Sequence, residues 1–106
     1  MYAQVIQGGA APEQRQAMDA IVHEQMIPAL GDEPGFTGAL NLVDRDTGNA
    51  MMVVIWQEEE QARRPLPEYG RKFLQALASI AAISSGNRAP ISIWDVNAST
   101  LAPVTA

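Results

Sequence analysis

Residues 34–56, PGFTGALNLVDRDTGNAMMVVIW, constrain the fold more than any other part of this chain. They read as two strands, Phe36 to Asp44 and Asn49 to Trp56, joined by the turn Arg45-Asp46-Thr47-Gly48. Asp early and Gly late suit a tight hairpin, since Gly takes φ > 0 without steric cost. By strict alternation Phe36, Gly38, Leu40 and Leu42 share one face, and Thr37, Ala39, Asn41 and Val43 the other. The second strand divides into Met51, Val53, Ile55 and Met52, Val54, Trp56. Both faces of the hairpin are therefore largely apolar. A single helical layer covers one face of a sheet, so something else must bury the other. The pattern predicts a homodimer built through sheet faces, without saying which face meets the partner.

The flanking segments complete an order. Tyr2 to Gln7 reads as a short strand ended by Gly8-Gly9. Pro12 opens a helix where its missing N–H does no harm, and Glu13 favours the same first turn. Met18, Ile21, Val22, Met26 and Ala29 recur at helical spacing, Gly31 stops the helix, and Pro28 kinks or loosens its last turn. Gln57 to Arg64 reads as a short polar helix ended by Pro65 and Pro67. Glu68 to Ile83 reads as a second long helix, with Tyr69, Phe73, Leu77 and Ile80 inward and Leu74, Ala78 and Ala81 widening the stripe. Ser84-Ser85-Gly86-Asn87 ends it, and Ile91 to Val96 is the last strand. The order β-α-β-β-α-β predicts a ferredoxin-like α+β domain with a four-stranded antiparallel sheet, over residues 1–97, with a tail at 98–106.

Composition excludes several functions. There is no cysteine, hence no disulfide, thiolate catalysis or thiolate-bound metal. A net charge of −5 argues against a nucleic-acid partner. Arg63, Arg64, Arg71 and Lys72 are interrupted by Glu68 and preceded by Glu58-Glu59-Glu60, which describes a solvated helix face. No apolar run reaches membrane-spanning length, and the first residues lack the pattern of a secretory signal. A soluble cytoplasmic protein with no membrane partner is the expectation. With a single histidine, His23, and no nucleotide fingerprint, no haem, flavin or metal cofactor is expected.

A short strand before a helix beginning Ala11-Pro12-Glu13, then Pro34-Gly35-Phe36, Gly38, the turn from Asp44 to Gly48, and Ile55-Trp56 followed by acidic residues and Ala62 form a larger pattern. It resembles the dimeric α+β barrel proteins, specifically the antibiotic-biosynthesis-monooxygenase-like group, over most of the chain. The resemblance implies two protomers packed sheet to sheet, each with a ligand cleft between its sheet and helices. It also implies two candidate activities. One is non-catalytic binding of a small aromatic or hydrophobic ligand. The other is cofactor-independent monooxygenation of an aromatic or polyketide-like substrate, for which the group uses a tryptophan, an asparagine and an arginine.

On this reading Trp56, Trp94, Tyr69, Asn41 and Arg71 are the candidate cleft residues. Trp56 and Trp94 would form an aromatic wall facing the helices, with a flat ligand stacked on Trp56. Each also has a plainer role, since tryptophan and tyrosine most often fill a core and wet one polar tip. The haem-degrading branch of the superfamily uses a first-strand asparagine and a histidine on the second long helix. This chain has Gln4 and Gln7 on that strand and no histidine after His23.

Overall fold

The computed structural model describes residues 1–84 and 91–100. Its elements are β1 (Tyr2–Gly9), α1 (Arg15–Ile21), α2 (Ile27–Gly31), β2 (Phe36–Val43), β3 (Asn49–Trp56), α3 (Glu59–Ala62), α4 (Arg71–Ile83) and β4 (Ser92–Asp95). One sheet of four strands has the order β2-β3-β1-β4, with every neighbouring pair antiparallel. This is the ferredoxin-like arrangement that the element order predicts. The chain from Ser85 to Asn87, read as the end of the second long helix, and residues 101–106 of the tail lie outside the described residues.

β1 extends through both glycines instead of stopping before them. Gly8 pairs with Ala50 and Gly9 with Asn49, so the hairpin holds the strand to its last residue. β4 is shorter than expected, pairing only from Ser92 to Asp95 with Val5 to Tyr2. The edge of β1 beyond Val5 is therefore not covered by β4.

The first helical segment is not uniform. A 3-10 turn at Pro12–Gln14 leads into α1, and a π turn at Val22–Met26 separates α1 from α2. Pro28 supplies the reason. It offers no N–H, and in a regular α-helix its ring would press on the carbonyl four residues back, that of Glu24. Widening the register, with the Ile27 N–H donating to the Val22 carbonyl, relieves that conflict while the chain keeps its direction.

The hairpin turn forms as its residues require. The Asp44 carboxylate accepts the backbone N–H of Asp46 at 2.9 Å and of Thr47 at 3.3 Å. These two bonds hold its pKa below the usual carboxylate value. Gly48 sits at φ +81, a backbone region that side chains strain to enter.

Alternation fails at one point. The β2–β3 register slips between Phe36 and Gly38, leaving Thr37 as a bulge. Phe36 thus pairs with Trp56, while Ala39 pairs with Val54 and Asn41 with Met52. The bulge moves Phe36 from the Leu40 face, where strict alternation put it, to the opposite one. That face meets the helices. There Met26, Leu30, Val54, Trp56, Tyr69, Phe73 and Ala76 form the buried core.

The other face carries Leu40, Leu42, Met51, Val53, Ile55 and Trp94, none fully buried within one chain. The two-sided apolar hairpin is therefore real.

The link after Trp56 is short and tightly capped. Glu58 and Gln61 form a reciprocal capping box at the start of α3, with the Glu58 N–H donating to Gln61 Oε1 at 2.9 Å. The second long helix begins later than the pattern suggests. A 3-10 turn at Leu66–Glu68 carries Tyr69 in extended backbone, and α4 starts only at Arg71.

Gly48→Ala is expected to cost more than about 1 kcal/mol, because the positive φ is strained for alanine. The new Cβ would also lie 2.6 Å from the Ala10 carbonyl oxygen. Urea denaturation would show the midpoint falling with an unchanged slope.

Candidate functional site

A groove of about 510 Å³ runs between the helices and the sheet. Met18, Val22, Met26 and Leu30 line it from the first helical segment, Met52 and Val54 from β3, and Phe73, Leu74 and Leu77 from α4. Its size falls in the range of small-molecule sites, and such sites combine apolar walls with a few polar groups. Leu74, Ala78 and Ala81 do widen the apolar face of α4, but they are exposed and border this open groove instead of packing in the core.

The polar groups gather toward the hairpin end. Arg15, at the start of α1, donates from Nη1 to the Arg45 carbonyl. Arg45 donates in turn to Asp19 Oδ2 at 2.9 Å. The Arg15 guanidinium lies against Gly48, close enough that a Cβ there would be 3.3 Å from its Nη2. Its Nε is buried and has no hydrogen-bond partner. Asn41 also lines the groove, with Nδ2 donating to the Met51 carbonyl at 3.4 Å. Among the described residues no three His, Cys, Asp or Glu side chains are grouped to hold a metal ion.

Gln4 occupies the inner end and is only 3% exposed. Its Oε1 accepts the Trp56 indole N–H at 3.1 Å, which satisfies two buried polar groups at once. Trp56 packs edge-on against Phe36 and against Tyr69, with centroids 6.2 Å and 5.9 Å apart, and Tyr69 lies 4.3 Å from Phe73. Arg64 stands 4.2 Å over the Tyr69 ring and donates to Glu33 Oε2 at 2.5 Å, while Glu33 Oε1 accepts the Gly70 N–H at 2.7 Å. The Tyr69 hydroxyl is buried without a well-formed hydrogen bond. Burial pushes this phenol above its ordinary value, and the nearby Gln4 amide and Arg64 charge only partly offset it.

The five sequence candidates do not form one cleft. Trp56, 1% exposed, and Tyr69, 4% exposed, are core residues and do not line the groove. Trp94 is 60% exposed and pairs with Ala3, which places it on the sheet face away from the helices. No aromatic wall of two tryptophans exists. Arg71 is exposed on the first turn of α4, outside the groove. Asn41 alone of the five lines it. His23 is exposed and also outside it. Sequence reasoning missed Arg15, Arg45, Asp19 and Gln4 as groove residues. Gln4 carried a faint signal, an amide alternating with Tyr2 and Ile6 on a strand bound for the core.

Two measurements test this placement. Trp56→Phe should lower stability by about 2–4 kcal/mol, because it removes buried ring volume and orphans Gln4 Oε1. Tyr69 adds a pH signature. Its folded value is raised, so the neutral phenol stabilises the fold fully below the ordinary value of 10.0. That contribution is lost as pH rises through the raised value. Chemical denaturation of wild type against Tyr69→Phe should show wild type losing more stability across that alkaline window.

No family model matches the chain, and no curated protein sequence matches it either. Solved structures do. A protein of Nitrosomonas europaea assigned as an antibiotic biosynthesis monooxygenase aligns over 92% of this chain and 100% of its own, with TM-score 0.73 and 13% identity. SnoaB, a cofactor-independent oxygenase from Streptomyces nogalater, aligns over 92% and 94%, with TM-score 0.66 and 18% identity. A Chloroflexus aurantiacus protein assigned as an antibiotic biosynthesis monooxygenase aligns over 95% and 98%, with TM-score 0.70 and 17% identity. At these identities the likeness concerns the backbone, and the chain has the ferredoxin-like α+β fold of the antibiotic biosynthesis monooxygenase-like proteins.

Proposed function

We propose that the protein is a homodimeric binding module that holds a small hydrophobic molecule in the groove between its sheet and helices. The observation carrying this reading is the groove itself, about 510 Å³ with apolar walls and its charged groups, Arg15, Asp19 and Arg45, collected toward one end. Residues 1–97 are the folded unit in this reading, 98–106 its tail, and the cytoplasm its location.

Binding is favoured over catalysis by the state of the groove's polar groups. Proton abstraction from a substrate needs a base within hydrogen-bond reach. Asp19 is the carboxylate among the described lining residues, and it is engaged by Arg45. The amides of Gln4 and Asn41 are not bases. The second reading, cofactor-independent monooxygenation, rests on the fold shared with SnoaB. Oxygen uptake with quinol and anthrone substrates, without added cofactor, separates the two. The binding reading expects uptake no faster than the blank. Uptake that disappears in Leu74→Glu, which places a charge on the exposed groove wall, would replace it with the enzyme reading.

The dimer is supported by the second sheet face. Leu40, Leu42, Met51, Val53, Ile55 and Trp94 lie together there and are not buried by their own chain. Obligate interfaces of this kind bury about 2,000 Å² or more in total. Sedimentation should show a dimer at micromolar concentration. Val53→Asp should yield monomer or unfolded chain, and monomer for the unaltered protein would contradict the assembly.

A further inference from the structure

We propose that the groove ligand has a flexible aliphatic body and a carboxylate head, as in a medium-chain fatty acid, with the head held by Arg15. This deepens the binding reading and rests on it.

The walls select the body. A flat polycyclic ligand is best held by stacked rings. Yet among the described residues the lining contains one aromatic side chain, Phe73, while Trp56 and Tyr69 are sealed in the core. Met18, Met26 and Met52 instead give a soft, unbranched lining that adapts to a flexible chain. On β1 the lining runs from Gly9 to Gln4 and on β3 from Ala50 to Val54. Four steps at the strand rise give about 13 Å, a slot suited to an extended chain.

The hairpin end selects the head. Of the Arg15 guanidinium, Nη1 is committed to the Arg45 carbonyl, but the buried Nε has no partner. An unpaired buried donor is costly, and a carboxylate satisfies guanidinium N–H groups in pairs. The acidic groups nearby are already engaged. Asp19 pairs with Arg45, and Asp44 accepts the Asp46 and Thr47 amides. Asp44 feels the Arg15 charge but forms no ion pair with it among the described residues. Gly48, lacking a Cβ, leaves room for the guanidinium beside the turn.

Isothermal titration with four probes below their micellar concentrations tests the proposal: dodecanoate, dodecanol, dodecyltrimethylammonium and anthracene-2-carboxylate. Dodecanoate should bind best, roughly tenfold or more tighter than dodecanol, as expected for a charge-assisted hydrogen bond. Arg15→Gln should erase that preference while dodecanol binding persists, and Leu74→Glu should weaken both. Equal affinity for dodecanoate and dodecanol, or binding of the anthracene probe with dodecanoate excluded, overturns the proposal and leaves the binding module standing. Failure of all four to bind removes both. The comparison on the unaltered protein decides the point even if Arg15→Gln loosens the turn that Arg15 braces.

Discussion

Trp56 joins parts of the chain that would otherwise be independent. It stands at the end of β3, in register with Tyr2 on β1 and Phe36 on β2. Its indole N–H is tied to Gln4, and its ring edge meets Tyr69 just before α4. A large ring with one polar atom can be buried only if that atom finds a partner. Gln4 meets that need because β1 is central and its side chain faces the helices. Trp56 therefore links the two central strands to the segment that leads into α4. Its ring also helps fill the space between sheet and helices at this end, and the apolar groove opens toward the hairpin.

The groove follows from that division. At the Trp56 end, aromatic rings fill the space between sheet and helices. Toward the hairpin the sheet contributes Ala50, Met52 and Gly8, which are small or flexible, and the layers do not close. The charged side chains at this end, Arg15, Asp19 and Arg45, come from α1 and the hairpin turn, segments far apart in sequence. Their meeting ties the first helical segment to the hairpin.

Much of the fold is legible in the chain because periodicity is local. The hairpin, its turn, the start at Pro12, the stop at Gly31 and the element order are all readable from spacing and turn chemistry. The face of Phe36 is not, since a single bulged residue, Thr37, reverses the alternation before it. Nor is the face of Trp94, which the chain's pattern puts toward the helices; its register against Ala3 is a tertiary fact, and it points away from them. The site was far less legible. Rare, large aromatic residues are the conspicuous candidates in a chain, yet burial claims such residues first. Arg15 and Asp19 looked like ordinary helix-surface charges, and only the packing of α1 beside the hairpin turn brings them to a cavity.

The π turn at Val22–Met26 has a geometric result beyond sparing Pro28 a clash. Met18, Val22, Met26 and Leu30 all reach the groove, at a constant spacing of four residues. On a regular α-helix such a series spirals, and after three steps its last member would have drifted by about 120° around the axis. The wider turn in the middle rotates the chain less per residue and takes part of that drift back. Four side chains that would wind further around a cylinder are kept on one wall of the groove. One misfit proline has thus set how far the helix can run parallel to whatever lies in the groove.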